Sequence, residues 1–313
     1  YSVYRMNDSW DASSTYATYG NAGPVPGTDY VETPTATVTP MEKNQQAWFD
    51  VTTDVEAWFT GSAANNGFIL RTDASTDGWE IGSGGNSDVN RRPDLRVTYT
   101  VDPLIWKGNL SGAWDAGSGI NAGGTQNWQL ASNSTPTNFI DTDRVVFDDT
   151  ATGSGLVSVT ISSPVSPQIT TIDSSSHDYR FTGNGGIAGA GRLVKTGAST
   201  ATLETENTFV GGTTVTGGIL RVGNGAAAGS LTGSVAIEAG GTLEFNRSGL
   251  LAVAGVLSGD GALVKNGTGL VTLDGSHTFS GTVQVNAGSL ALTPFDHAGG
   301  MTVANGAALV AIS

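Results

Sequence analysis

Cysteine is absent from the 313-residue chain. Without a thiol there is no disulfide, no thiolate metal site and no cysteine nucleophile. Charged side chains are scarce as well, at 13% of the residues, which is about half of their usual share. No apolar run approaches the roughly 18 residues that a membrane-spanning helix needs, and no signal peptide opens the sequence. We therefore expect no membrane insertion of this segment.

Histidine is also rare, and its three copies, His177, His277 and His297, lie far apart. His277 occupies the position that Asn207 holds in the internal repeat described below, which suits an exposed corner better than a metal ligand. The sequence contains no His-x-x-x-His pair, no P-loop and no nucleophile elbow. We expect the histidines to face solvent.

The charge balance is strongly acidic, because 14 basic and 28 acidic residues give a net charge of −14. Such a surface repels phosphate backbones and anionic membranes, so nucleic acid is not expected as a partner. The simplest interpretation is a soluble surface without a specific ligand, and calcium binding is the alternative. Asp50, Asp54 and Asp73 are candidate oxygen ligands for calcium, although no loop has the spacing of a dedicated calcium motif. No other cofactor is expected.

Glycine, in contrast, is abundant, with 45 residues, and it takes part in an internal repeat. The stretch GRLVKTGASTATLETENTFVGGTTVTGGILRV begins at Gly191, and GALVKNGTGLVTLDGSHTFSGTVQVNAGSLAL begins 70 residues later at Gly261. The two copies, 191–222 and 261–292, align without a gap. They share apolar residues, glycines and one identical charged residue, Lys195 or Lys265. This selection indicates a scaffold rather than a site of chemistry.

Short patterns of Val or Ile, then glycine, then Leu recur through the second part of the chain, as in Val215, Gly218 and Leu220. Such self-similarity is typical of a solenoid. Each coil stacks inward aliphatic side chains on those of the next coil, and the corners need glycine for a positive φ. With roughly 20–25 residues per coil, the offset between the copies corresponds to about three coils. We predict a parallel β-helix over residues 103–313.

Residues 1–102 differ in composition, with more charged and aromatic side chains in short alternating runs. Glycine, asparagine, aspartate and proline bound these runs, which predicts an antiparallel β-sandwich. The segment VTTDVEAWFTG predicts one short helix that Thr53 or Asp54 caps and Gly61 ends. Its predicted apolar stripe consists of Val55, Trp58 and Phe59. The expected fold class is all-β, with a β-sandwich followed by a β-helix.

Three tryptophans, Trp106, Trp114 and Trp128, lie where the two compositions meet. One interpretation is that they cover the first end of the coil stack, where strand edges and apolar rows need shielding. The alternative is that they stack on a sugar. We favour the covering role.

Acidic residues are the remaining candidates for catalysis. Polysaccharide-cleaving sites need at least two acids a few Å apart, but few acids of the predicted coils recur at one-coil spacing. Those acids are Asp115, Asp141, Asp143, Asp148, Asp149, Asp173, Asp178, Glu204, Glu206, Glu238, Glu244, Asp260, Asp274 and Asp296. Glu204 and Asp274 hold equivalent positions in the two copies, and each is expected to face water. We predict no catalytic residues and no enzymatic activity.

Within the sandwich, Trp10, Trp79 and Glu80 form the candidate glycan-binding set. Aromatic faces stack on pyranose rings, and an acid accepts hydrogen bonds from hydroxyl groups. The simpler interpretation places Trp10 and Trp58 in the core and lets Trp79 close a loop.

The segments GGIAGAGRLVKTGASTATLETENTFVGGTTVTGGILRVGN and GVLSGDGALVKNGTGLVTLDGSHTFSGTVQVNAGSLAL resemble autotransporter-associated β-strand repeats. The pattern of that family is G-x-G-x-L-x-K-x-G-x-G-x-L-x-L, followed by a "tysGgTtv" segment and "aGtL". The resemblance is strongest over residues 180–292. It implies a right-handed parallel β-helix, export to a bacterial cell surface, and a stalk-like or adhesive role.

The first hundred residues resemble a DNRLRE-type domain, a jelly-roll module of secreted bacterial proteins. The similar pieces are YRMNDSWDASSTYATYGN, FDVTTDVEAWFTGSAANNGFIL and RRPDLRVTYT. The front strands that name such a domain are absent, so we expect the chain to begin inside the module. A neighbouring copy could supply those strands by strand addition. In some members the resemblance implies carbohydrate binding.

These features predict a non-enzymatic extracellular protein of the bacterial cell surface, either a stalk or a self-assembling fibre subunit. The second hypothesis is a carbohydrate-binding surface protein with the sandwich as its glycan-binding head. A third is a polysaccharide lyase or hydrolase, which requires an acidic cleft along one face of the β-helix. The expected partners are further copies of the chain in a filament or surface layer, with polysaccharide as the alternative.

Overall fold

The computed structural model describes residues 1–9, 23–38, 47–59, 61–71, 87, 94–96, 102–116, 124–293 and 299–311. The chain divides into two compact units, Tyr1–Tyr99 and Thr100–Ser313. The predicted all-β class is confirmed, because the described residues form 25 strands and a single short helix. That helix is too short to cross a membrane, and the described residues contain no other.

In the first unit, three strands form an antiparallel sheet in the order β2-β1-β3. They are β1 (Ser2–Arg5), β2 (Ala36–Thr37) and β3 (Phe68–Arg71). Val3, Met6 and Tyr30 are buried beside the sheet, and the ring of Tyr4 packs on that of Tyr30 with centroids 5.1 Å apart. A second sheet is not among the described residues of this unit. The full sandwich and its resemblance to the DNRLRE-type module therefore stay predictions.

The predicted helix is confirmed as α1 (Thr52–Phe59), and Gly61 follows it with the expected positive φ of +73°. Its cap differs from the prediction. The Asp50 carboxylate accepts hydrogen bonds from the hydroxyl (2.6 Å) and the backbone N–H (3.1 Å) of Thr52. These bonds, that of the hydroxyl first, lower the pKa of Asp50. Asp50 therefore caps the helix in place of Thr53 or Asp54.

The inward face of α1 is polar, not the apolar stripe that we predicted. Asp54 is buried, forms an ion pair with Arg5 (3.1 Å) and accepts a hydrogen bond from the Thr35 hydroxyl. Phe59, by contrast, is 73% exposed. The charged partner on β1 explains the difference, because it requires a carboxylate on the helix face that packs on the sheet. In this structure Asp50 and Asp54 thus have protein partners, and Asp73 lies outside the described residues.

The second unit begins with a hairpin and continues as a stack of coils. The hairpin strands are β4 (Leu104–Trp106), β5 (Trp128–Leu130) and β6 (Pro136–Thr137). The coil strands are β7 (Arg144–Asp148), β8 (Leu156–Thr160), β9 (Ile169–Asp173), β10 (Asp178–Thr182), β11 (Arg192–Thr196), β12 (Thr200–Leu203), β13 (Thr213–Val215), β14 (Gly218–Val222), β15 (Val235–Ile237), β16 (Gly241–Phe245), β17 (Leu251–Val253), β18 (Leu257–Gly259), β19 (Ala262–Lys265), β20 (Leu270–Leu273), β21 (Thr278–Phe279), β22 (Thr282–Val285), β23 (Ser289–Leu292), β24 (Met301–Val303) and β25 (Ala308–Ala311). All pairs of neighbouring coil strands are parallel. This confirms the predicted parallel β-helix.

Each coil has three sides, which the chain visits in a fixed order. Side 1 is β4-β7-β9-β11-β13-β15-β18-β21, side 2 is β8-β10-β12-β14-β16-β19-β22-β24, and side 3 is β17-β20-β23-β25. In the early coils side 3 is irregular, and a single bridge joins Val165 to Ile187 there. About eight coils are stacked. Their lengths range from 18 residues, with Val283 opposite Met301, to 25, with Arg144 opposite Ile169.

The two repeat copies do not occupy the same sides. The first copy begins on side 1 with Leu193 in β11, whereas the second begins on side 2 with Leu263 in β19. From Leu193, three coils lead through Thr213 and Val235 to Leu257 on side 1, and one more corner leads to Leu263. The offset is therefore three coils plus one side, and our estimate of about three coils misses the change of side. The motif specifies strands and a corner that fit any side.

The repeated glycines meet two different needs. Gly218 and Gly288 have φ of +61° and +65°, the left-handed conformation that we predicted for corners. Gly211 and Gly281 do not have a positive φ. A Cβ on Gly281 would lie 1.9 Å from the carbonyl oxygen of Gly261, and one on Gly211 would lie 2.4 Å from a carbonyl oxygen of the preceding coil. Close approach of successive coils thus explains these two glycines, a reason absent from our prediction.

The three tryptophans close the first end of the coil stack, as predicted. Trp106, Trp114 and Trp128 are fully buried, with ring centroids 4.9 Å apart for Trp106 and Trp128 and 5.6 Å for Trp114 and Trp128. Phe147 of the first coil packs 5.3 Å from Trp114. The hairpin also covers the edge of side 1, since β4 pairs with β5 on one flank and β7 on the other. Because none of these rings is exposed, a sugar cannot stack on them.

Candidate functional sites of the solenoid

The lysine shared by both repeat copies lies inside the coil, at a corner. Lys195 and Lys265 are fully buried. The Lys195 ammonium donates hydrogen bonds to the carbonyl oxygens of Thr196, Gly197 (2.8 Å) and Gly217 (3.2 Å). Lys265 binds the carbonyls of its own corner and of the corner one coil further on in the same way. Each lysine therefore joins two successive coils, which supports the scaffold role that we inferred from the repeat.

The environment of Lys195 predicts that stability depends on pH. Burial lowers the pKa of Lys195 to about 8, against the smaller opposing effect of Asp173 and Asp178. The unfolded chain keeps a lysine pKa of about 10.4. Below pH 8 both states are protonated, so the cost of burying the charge is fully present. Above it the folded protein loses the proton first, and the free energy of unfolding should rise by about 2 kcal/mol between about pH 7 and about pH 9.5.

Urea unfolding at both pH values measures this rise. The same pair of measurements on Lys195→Met isolates the contribution of Lys195, because methionine does not titrate. We expect most of the rise to disappear in the variant. An equal rise in both proteins would show that other groups cause it.

His277 and Asn207 are not exposed corner residues, so that prediction was wrong. They are 7% and 1% exposed. Asn207 Oδ1 accepts the backbone N–H of Ile187 (2.9 Å), and His277 Nδ1 accepts that of Leu257 (3.2 Å), the equivalent residue of the second copy. His277 Nε2 also lies 3.0 Å from the Leu273 carbonyl oxygen. Both side chains satisfy a buried donor of the preceding coil. The substitution of one for the other could have indicated this, since each offers both an acceptor and a donor.

Replacing His277 tests this interpretation with a control that the chain itself supplies. His277→Leu removes the acceptor of the buried Leu257 N–H, which should lower the free energy of unfolding by about 1–2 kcal/mol. His277→Asn restores the side chain that the first copy uses, and we expect a change within about 0.5 kcal/mol. Thermal or urea unfolding measures both. Equal losses in the two variants would mean that ring packing, not the hydrogen bond, matters.

Asp149, Ser176 and His177 combine the side-chain types of a serine hydrolase, but not its geometry. His177 is 8% exposed, contrary to our expectation. Its Nε2 lies 3.1 Å from the Gly153 carbonyl, while Ser176 Oγ (3.5 Å) and the Asp149 carboxylate (3.8 Å) both face Nδ1. In a catalytic triad, acid and serine would bind opposite nitrogens. Asp149 also accepts the Ser176 N–H (2.9 Å), and hydrogen bonds, that of the Ser174 hydroxyl first, hold its pKa well below the usual range. The cluster links successive coils.

Carboxylates meet on side 1, where Asp148 and Asp173 are direct neighbours on successive coils. Our sequence comparison missed this recurrence because that coil is the longest. Asp148 Oδ1 accepts hydrogen bonds from the N–H (2.8 Å) and hydroxyl (2.6 Å) of Thr150. Glu204, which we expected to face water, is half-buried and paired with Arg180 at 2.6 Å, whereas Asp274 is exposed as expected. Among the described residues, no three metal-binding side chains come together.

Polar side chains form a ladder on the outer face of side 2. Arg221 pairs with Glu244 (2.9 Å), and Glu244 accepts a hydrogen bond from Asn266 (2.8 Å). Asn266 accepts one from Asn286 (2.7 Å), which in turn accepts one from Gln284 (2.8 Å). Most of these bonds join neighbouring coils, so the outer face is held together as well as the core. The exposed amides of Asn286 and Gln284 can bind a partner.

A concavity of about 270 Å³ lies beside the hairpin, on the outer face of side 1. Ile105 and Leu130 contribute apolar surface to it, and Gln129 and Asp148 contribute hydrogen-bonding groups. Lys107 also lines it, with the ammonium 3.1 Å from the Thr150 carbonyl oxygen. The predicted glycan-binding residues are in the first unit. Those residues, Trp10, Trp79 and Glu80, lie outside the described part of the chain, as does His297.

Comparison with known proteins identifies the repeat. The passenger-associated-transport-repeat family matches residues 193–222 and 263–292, which are the two copies found in the sequence. The adhesin BmaC autotransporter of Brucella suis biovar 1 (strain 1330) is 37% identical over 127 residues. That alignment covers 34% of this chain and only 4% of the length of this curated relative. No solved structure matches this chain. The solenoid thus carries two segments similar to the passenger repeats of autotransporters.

Proposed function

We propose that this chain is a non-enzymatic structural and adhesive part of a protein outside a bacterial cell. The observation that carries the proposal is the position of the polar residues of the repeat. Lys195, Asn207, Lys265 and His277 are all buried and all bind backbone groups at corners. The repeat therefore builds a scaffold whose outer faces remain for partners. Similarity to an adhesin autotransporter supports adhesion and an extracellular location.

Beads coated with the folded protein test adhesion. We expect them to attach to layers of host cells more often than beads coated with urea-unfolded chain or with albumin, and equal attachment would contradict the proposal. The proposed role needs no cofactor, so EDTA should leave attachment unchanged. A screen on acidic and neutral polysaccharides tests the non-enzymatic part. Lyase or hydrolase activity that follows the protein through purification would overturn it.

Self-association into a filament or surface layer is part of this proposal. β24 and β25 lie at the edges of their sheets, and Val303 and Val310 on them are exposed. Edge strands with exposed apolar side chains pair readily with another chain. Light scattering and electron micrographs at rising concentration should show assemblies, and Val310→Lys should reduce them by placing a charge on the edge. A monomer at every concentration contradicts self-association.

Carbohydrate binding is the second candidate function, and the concavity on side 1 favours it. The apolar surfaces of Ile105 and Leu130 suit the face of a sugar ring, while the Gln129 amide and the Asp148 carboxylate can bind hydroxyl groups. A glycan array tests this. Loss of binding in Gln129→Ala would assign it to the concavity, and loss in Trp79→Ala would assign it to the first unit. An array without any binding overturns this candidate.

A further inference from the structure

Asparagine followed by glycine occurs five times in the chain, at Asn66, Asn184, Asn224, Asn266 and Asn305. In such a pair the backbone nitrogen of the glycine can attack the side-chain carbonyl carbon of the asparagine, because glycine has no side chain to hinder the approach. The attack requires that this nitrogen is not held in a hydrogen bond and that the local backbone can move. The fold therefore decides which of the five pairs can react.

In four of the pairs the glycine N–H already donates a hydrogen bond. The bonds are Gly67 to Asn65 Oδ1 (3.3 Å), Gly185 to the Ile161 carbonyl (2.8 Å), Gly225 to the Asn246 carbonyl (2.8 Å) and Gly267 to the Phe245 carbonyl (3.4 Å). The last three join one coil to a neighbouring coil. Breaking them requires local opening of the stack.

The fifth pair lies in the turn between β24 and β25. A hydrogen bond from the Ala307 N–H to the Ala304 carbonyl (3.0 Å) closes this turn, and Asn305 and Gly306 are its exposed central residues. Gly306 has a φ of +83°. Within the described part of the chain, neither the Gly306 N–H nor the Asn305 side chain forms a hydrogen bond.

The free Gly306 N–H results from the shape of this turn. The corresponding N–H groups at this corner bind backwards, as Ala304 does to the Val285 carbonyl of the preceding coil (2.8 Å). The Gly306 nitrogen is free although that coil is present beneath it. Its freedom is therefore independent of the residues beyond β25.

We propose that Asn305 is the residue at which this protein spontaneously deamidates. A hydroxide ion takes the Gly306 N–H proton, and the nitrogen then bonds to Cγ of Asn305. The bond from Cγ to the side-chain amide nitrogen breaks, and that nitrogen leaves as ammonia after protonation. Water then opens the five-membered ring at either of its carbonyls, which produces aspartate or isoaspartate. Both products place a new carboxylate in the turn, and isoaspartate also lengthens the main chain there.

The modification would change the edge strands that flank the turn. A negative charge between β24 and β25 makes their edges less able to pair with another acidic chain. Deamidation should therefore weaken self-association as the protein ages. This consequence rests on the proposed function, whereas the modification itself does not.

Peptide mapping by mass spectrometry tests the site on the full chain, incubated at mildly alkaline pH. We expect Asn305 to convert at least about tenfold faster than each of the other four asparagines, because those require local opening that costs about 1.4 kcal/mol or more. In the urea-unfolded chain all five should convert at similar rates, which separates the effect of the fold from that of the local sequence. An unmodified Asn305, or another pair that converts as fast in the folded protein, overturns the proposal.

A matched pair of variants gives a second readout. Asn305→Ser should remove the acidic species that isoelectric focusing detects after incubation. Asn224→Ser should leave that species unchanged, because Asn224 is equally exposed but its glycine is hydrogen-bonded. The reverse result contradicts the assignment. Light scattering of fresh and aged protein then tests the weakened association separately, so a failure there leaves the site itself standing.

Discussion

Replacing Lys195 by methionine is expected to lower the free energy of unfolding by about 3 kcal/mol at neutral pH. Methionine keeps most of the apolar stem, but it cannot donate hydrogen bonds. The carbonyl oxygens of Thr196, Gly197 and Gly217 would lose the ammonium that binds them. A buried acceptor without a donor costs roughly 1–3 kcal/mol, and the relief from burying no charge offsets part of the sum. Urea unfolding, followed by tryptophan fluorescence, measures the loss.

Two other lysines serve as controls for this prediction. Lys265→Met removes the donor of two hydrogen bonds to corner carbonyls rather than three, so we expect a smaller loss of about 2 kcal/mol. Lys107 binds Thr150 at the surface, and Lys107→Met should change stability by no more than about 0.5 kcal/mol. A Lys195→Met protein that unfolds at the same urea concentration as the unaltered chain would mean that the corner carbonyls do not need the lysine.

Gly281→Ala is expected to cost about 3 kcal/mol or more. The new Cβ would lie 1.9 Å from the Gly261 carbonyl oxygen and 2.7 Å from the ring of Phe279. The clash is with backbone, so a change of rotamer cannot relieve it. The same carbonyl accepts the Thr282 N–H at 3.0 Å, and moving the coils apart would break that bond. Overpacked cores usually lose about 1–3 kcal/mol and sometimes more.

Gly300→Ala is the matched control, because no atom lies within 4 Å of a Cβ built at Gly300. Gly300 does not have a positive φ, so alanine fits its backbone. We expect a change within about 0.5 kcal/mol. Thermal unfolding of the two variants compares them directly. Similar melting temperatures would show that the coils can separate at Gly281 without loss.

The coil stack could be predicted because its signal is repeated. Inward residues such as Leu193, Val215 and Leu220 recur with glycines along the chain and are all fully buried. A parallel stack needs this regularity, since each inward side chain packs on its counterpart in the next coil. The cap was predictable for a similar reason. An apolar coil end needs cover, and three tryptophans preceded it in the sequence.

The polar residues of the corners were harder to place. Asn207 and His277 were assigned to the surface because such residues are usually exposed. Their position depends instead on the N–H groups of Ile187 and Leu257, which the stacking of coils buries and which then require acceptors. The glycan-binding set of Trp10, Trp79 and Glu80 remains a prediction.

By itself the sequence determined that the second unit winds into parallel coils with aliphatic interiors and glycine corners, because that pattern is local and recurs in every turn. Only the tertiary structure decided which side each copy occupies and which polar groups face inward. Coil length varies from 18 to 25 residues, so the side of a residue depends on all the corners before it. The partner of a buried lysine, asparagine or histidine is a backbone group about one coil away, which no local pattern reveals.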